Sequence, residues 1–143
     1  MRVDFYHLTS RPPEAVLPRL LERVLDDGAR ALVLAGDEGF LGHLDRALWT
    51  YAPDSFLPHG LAGGEADADQ PILLSRRLDP VNGATRLLIA DGQWPDPAPS
   101  GFQRVFFLFD ASRIDGARAA WRGIAGDRHY WKQDERGRWT EGP

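Results

Sequence analysis

The 143 residues are 43% hydrophobic and 27% charged, carry a net charge of −4 and include no cysteine. This composition suits one globular domain over 1–143 with a real core, and it excludes disulfides, thiolate nucleophiles and zinc–sulfur sites. No apolar run approaches the 18 residues of a membrane span, and the acidic balance disfavours nucleic acid as a bulk electrostatic partner.

The lack of cysteine fits a cytoplasmic protein. In chain order, Val3 to Leu8 reads as a short strand, with none of the apolar region of a signal peptide. Pro12 and Pro13 open a helix to about Asp27, with Val16, Leu20, Leu21, Val24 and Leu25 on its apolar side and Gly28 as its stop. Ala31 to Ala35 is a continuous apolar run, as in a strand buried on both faces. Asp37 is placed to cap a helix over about residues 38–50, in which Leu41, Leu44, Leu48 and Trp49 recur at helical spacing. Ile72 to Leu74, Arg86 to Ala90 and Val105 to Phe109 read as further strands. Gly92 to Gly101 holds three prolines and reads as a surface loop. Asp110 or Ser112 caps a helix over about residues 113–125. The tail HYWKQDERGRWTEG suits a hairpin turning at Glu135 to Gly137. Buried strands alternating with helices predict an α/β fold: a mainly parallel sheet with helices on both faces.

One segment departs from the rule that turns are polar. Tyr51, Phe56, Leu57 and Leu61 follow the second helix in a stretch set by Pro53, Pro58, Gly60, Gly63 and Gly64. Such a run of large apolar groups either folds back on the core or offers an apolar surface to another protein.

The turn GDEGFLG places Gly36, Gly39 and Gly42 as G-x-x-G-x-x-G, not as the G-x-G-x-x-G of dinucleotide sites, and no G-x-x-x-x-G-K-[ST] occurs. Asp37 and Glu38 satisfy the helix dipole there and repel an anion. Asp37, Asp91, Asp110 and His7 fall near strand C-termini, where active sites of open α/β sheets collect, so a nucleotide- or phosphate-using α/β enzyme with its site there is the rival reading, although aspartate there commonly caps helices and turns. His7, His43, His59 and His129 have no close metal spacing.

Charge is uneven along the chain. Residues 1–112 hold 10 Arg against 16 acidic groups, whereas residues 113–143 hold 6 Arg and 1 Lys against 5 acidic groups. The C-terminal part is therefore the natural place for an acidic partner. Arg118, Trp121 and Arg122 lie at i, i+3 and i+4, so a ring and two guanidinium groups share one helix face. That face suits a peptide with an apolar side chain and carboxylates, because Arg forks bind carboxylates and the ring packs the apolar group. A half-buried Trp between solvated Arg neighbours is the plainer reading. Trp131, Lys132, Arg138 and Trp139 add aromatic and basic groups, a mixture that also suits single-stranded nucleic acid.

LDRALWTYAPDSFLPHGLAGG followed by QPILL resembles the chi subunit family of bacterial DNA polymerase III holoenzyme. The matching elements are Leu44, Asp45, Leu48 and Trp49; Ser55 to His59; Leu61 to Gly63; and Pro71 with Ile72. The likeness extends to Phe5 and Tyr6, to ARAAWRG, and to Gly137 to Trp139. It implies a nucleotide-binding-like three-layer fold without a phosphate loop, and a non-catalytic accessory subunit with no cofactor. It further implies pairing with a psi subunit, attachment to the clamp-loader complex and mostly indirect contact with DNA. It also implies capture of the acidic, Phe-ended C-terminal tail of single-stranded DNA-binding protein. Arg118, Trp121 and Arg122, with Lys132, are the residues it implies for the tail, where relatives often carry Tyr and Lys at the positions of Trp121 and Arg122. The loop around Phe56, Leu57 and Leu61 is the expected psi contact.

Overall fold

The structure is a computed structural model and describes residues 1–52 and 56–142. Pro53 and Ser55, which belong to the loop signature, lie outside the described residues. Eight strands form one sheet: β1 (Arg2–His7), β2 (Ala31–Leu34), β3 (His59–Leu61), β4 (Ile72–Ser75), β5 (Arg86–Ile89), β6 (Arg104–Phe109), β7 (Arg128–Gln133) and β8 (Trp139–Glu141). Their order is β3-β4-β2-β5-β6-β1-β7-β8. Every pairing is parallel except the closing β7–β8 hairpin. The apolar runs read from the sequence become the central strands, which are buried on both faces as parallel strands require.

Helices α1 (Pro13–Asp26) and α2 (Glu38–Thr50) cover one face, where Leu17, Leu21, Leu44 and Leu48 pack on Tyr6, Val33, Leu74, Leu88 and Leu108. Helix α3 (Ile114–Gly123) covers the other, over Phe5, Leu87, Val105 and Phe107. The buried residues of α3 are Ala117 and Ala120, small enough to bring the helix down onto a bed of phenylalanines. These are the three layers predicted.

Local chemistry sets the boundaries. Gly28, at φ +74°, donates to Leu25 O while Ala29 donates to Val24 O, the paired bonds that close a helix through a left-handed glycine. The Asp37 carboxylate accepts from Phe40 N at 2.8 Å and caps α2. Of the two capping choices before α3, Asp110 is the one used: its carboxylate accepts from Ser112 N, and a 3-10 turn over Ala111–Arg113 precedes the helix.

Two expectations change. His59–Leu61, read as loop, is a strand in parallel register with Ile72–Leu74. Its lead residue is pinned from outside the strand: the His59 ring nitrogens face Leu57 O at 2.6 Å and the Asp45 carboxylate of α2 at 3.1 Å. The tail is more than a hairpin, because β7 also adds in parallel to β1, with Phe5 opposite Tyr130 and His7 opposite Lys132.

Candidate functional site

Helix α3 presents Arg118 and Arg122 to solvent on either side of a half-buried Trp121. The indole stands edge-on to Phe5, with centroids 5.2 Å apart at 72°, and the Arg128 guanidinium covers its ring at 4.5 Å. Arg128 also donates to Trp121 O and Ile124 O, closing the C-terminus of α3 where a cation is favoured. The plainer reading of Trp121 therefore holds for its inner edge, which is core, while its flanking cations stay free. Among the described residues, Arg118, Arg122 and Lys132 have no partner within hydrogen-bond or ion-pair distance.

Alternation along β7 sends Arg128, Tyr130 and Lys132 to the α3 side, beside Phe5 and His7 of β1. Lys132 thus lies on the same side of the sheet as Arg118 and Trp121. Trp131 and Trp139 go to the opposite face, where they pack on Tyr6. The sheet separates them from Trp121, so the three indoles cannot form one stacking platform for single-stranded nucleic acid. Arg128 and Tyr130 were not singled out in the sequence; the period-two spacing of Arg128, Tyr130 and Lys132 was the available signal.

The apolar segment after α2 divides. Leu57 is 3% exposed and sits in the core, so it contributes no surface to a psi contact. Phe56 and Leu61 are 68% and 45% exposed, and Trp49 joins them at 53%. The Trp49 ring lies 5.7 Å from Phe56 and 4.5 Å from His59. This segment is both core and surface, with the buried His59 as the pin between them.

Among the described residues, the strand C-termini hold no free carboxylate cluster. Asp91 accepts from Gly36 N at 2.9 Å and Gln93 N at 3.1 Å, Asp37 caps α2, and Asp110 is taken by Ser112. At the turn after β1, Gln133 Oε1 accepts from Thr9 N, Ser10 N and Arg11 N at 3.0–3.3 Å. Convergent backbone N–H groups of this kind cradle phosphate in nucleotide-binding relatives of such folds. Here one side chain of the protein itself, Gln133, occupies them. No cluster of three His, Cys, Asp or Glu able to hold a metal occurs among the described residues.

Residues 1–131 match the family model described as DNA polymerase III chi subunit, HolC. The chain belongs to the DNA polymerase III chi subunit family. It is 35% identical over 107 residues to DNA polymerase III subunit chi of Pseudomonas aeruginosa, covering 73% of each chain. It is 30% identical over 86 residues to the probable DNA polymerase III subunit chi of Rickettsia prowazekii, covering 60% of this chain and 52% of that one. Membership makes it a replication accessory subunit. Among the described residues no helix is long and apolar enough to cross a membrane.

Proposed function

We propose that this chi-family chain is a non-catalytic adaptor that ties the polymerase III holoenzyme to single-stranded DNA-binding protein. Arg118, Trp121, Arg122 and Lys132 hold the acidic, Phe-ended tail of that protein. The observation that carries the reading is the pair of unpaired cations, Arg118 and Arg122, flanking one half-buried indole on α3, with Lys132 on the same side of the sheet. Guanidinium groups fork onto carboxylates and the ring packs the phenyl group, in the manner of acidic-motif recognition by Arg clusters. A tail of a few residues buries little area, so affinity at one site is modest, and it falls as salt screens the cations.

The exposed Trp49–Phe56 pair, with Leu61 exposed farther along the same segment, is the proposed seat of a psi subunit and, through it, of the clamp-loader complex. Aromatic residues that stay exposed together commonly anchor protein interfaces. DNA is reached mostly through partners, in keeping with the net charge of −4.

The test is fluorescence anisotropy with a labelled tail peptide. Wild type is expected to bind and Arg122→Ala to bind at least about tenfold more weakly, the scale of one charge-assisted hydrogen bond. Equal affinities would remove the assignment to α3, and silence from wild type would remove the adaptor reading. Co-purification with psi, abolished by the double substitution Trp49→Ala and Phe56→Ala while tail binding persists, tests the second surface.

A further inference from the structure

The face that carries the proposed tail site extends past α3 onto β1 and β7. Successive same-face residues of β7 stand roughly 6.6 Å apart, so Arg128, Tyr130 and Lys132 form a row along that strand. Arg128 covers Trp121 at one end of that row. In the middle, Tyr130 Oη lies 2.8 Å from His7 Nδ1. At the far end Lys132 stands opposite His7 in register. The His7 ring is stacked on Phe109 at 4.9 Å and 18°, which fixes its plane and leaves Nε2 as its second polar atom. Among the described residues no hydrogen bond reaches that nitrogen.

Two of the proposed site's three cations act on this pair. The Lys132 ammonium acts on His7, and the Arg118 guanidinium on Tyr130. The carboxylate that acts on His7 is Asp110, already held by Ser112. A purely structural purpose for the His7–Tyr130 bond is weak, since β1 and β7 are joined by a parallel ladder from Val3–Arg128 to His7–Lys132. What the arrangement offers is a phenol and an imidazole, side by side, between free cations and beside an aromatic wall.

We infer that His7 and Tyr130 form the subsite for an acidic side chain of the tail, one that precedes its terminal phenylalanine, and that the site tightens as pH falls. This rests on the tail-binding reading above. In the free protein burial and then Lys132 hold the His7 pKa below its ordinary value, with Asp110 pulling the other way. The imidazole is therefore neutral at neutral pH. A carboxylate arriving beside it favours the imidazolium, and by linkage a lower pH favours the carboxylate. Each unit by which binding raises the His7 pKa yields up to about tenfold in affinity.

The experiment is a peptide titration at pH 5.5 and pH 8.0 at fixed ionic strength, a window in which the peptide's own carboxylates stay ionised. Wild type is expected to bind about three- to tenfold more tightly at pH 5.5, and His7→Gln equally at both. Tyr130→Phe is expected to reduce the response. His129→Gln, which changes the histidine held by Asp127 and Glu141, is expected to retain it. A peptide with its acidic residues replaced by Asn and its Phe terminus kept is expected to bind without the response. An undiminished response in His7→Gln, or in the Asn peptide, overturns the inference while leaving the adaptor reading standing. A wild type that binds at neither pH overturns both. An NMR titration of the His7 ring in unaltered protein stands apart from any folding defect of the variants. A His7 pKa that does not rise on adding peptide overturns the subsite.

Discussion

The two faces of the sheet use the same chemistry to opposite ends. On the α1–α2 side, Asp4 is buried and its carboxylate accepts from Arg2 at 3.0 Å, Arg104 at 2.7 Å and the Trp131 indole at 3.0 Å. On the α3 side, Arg118, Arg122 and Trp121 repeat that set of donors and ring without the carboxylate. The first set is closed by the chain's own aspartate, the second is left open. An arginine–tryptophan–carboxylate cluster satisfied internally adds stability, and the same cluster short of its anion is available to a partner.

The largest effect separating the faces comes from Asp4→Asn. Removing the buried charge leaves two guanidinium groups uncompensated, and a loss of about 3 kcal/mol in urea unfolding is expected, with tail affinity unchanged. The acid limb sharpens the same contrast. Burial raises the Asp4 pKa, but the bonds from Arg2, Trp131 and Arg104 outweigh it and hold it below the ordinary value. The stability Asp4 contributes is therefore fully present above about pH 4 and is lost as pH falls through its lowered folded pKa. Asp4→Asn is expected to flatten that limb in an acid unfolding curve.

On the open face the pattern reverses. Arg118→Ala is expected to weaken the tail peptide about tenfold while leaving urea stability within about 0.5 kcal/mol. A stability loss as large as that of Asp4→Asn would mean that the open set is structural after all. Smaller still is Gly137→Ala in the β7–β8 turn. Gly137 sits at φ +80°, and an added Cβ would meet the Arg11 side chain, so about 1 kcal/mol of thermal stability is expected to be lost with no change in the peptide titration.

The fold was legible where one residue type dominates a stretch. Ala31 to Leu34, Ile72 to Leu74 and Val105 to Phe109 are apolar without a break, and only a strand covered on both faces hides such runs. His59–Leu61 escaped because glycine and proline surround it. What makes it a strand is a histidine reaching back to Asp45 on another element, and no local pattern carries that. The parallel docking of β7 was likewise hidden, since RHYWKQ reads as polar and its register with β1 joins residues more than a hundred positions apart. At the site, Arg118, Trp121 and Arg122 were visible through helical spacing. Their relation to His7 and Tyr130, 123 residues apart, exists only through that register. Trp94 had no reading in the sequence; it fills the space between Phe5 and Phe107 at 6.2 and 5.3 Å.

The sheet ends in two three-residue strands, His59–Leu61 behind Pro58 and Trp139–Glu141 with its acidic last residue. A proline, a charge and so little length leave scarcely any backbone for a stranger to zip onto. Traffic with other molecules must therefore run over the broad surfaces, through side chains exchangeable one at a time. The number and strength of its attachments can be retuned by substitution without reopening the architecture that displays them.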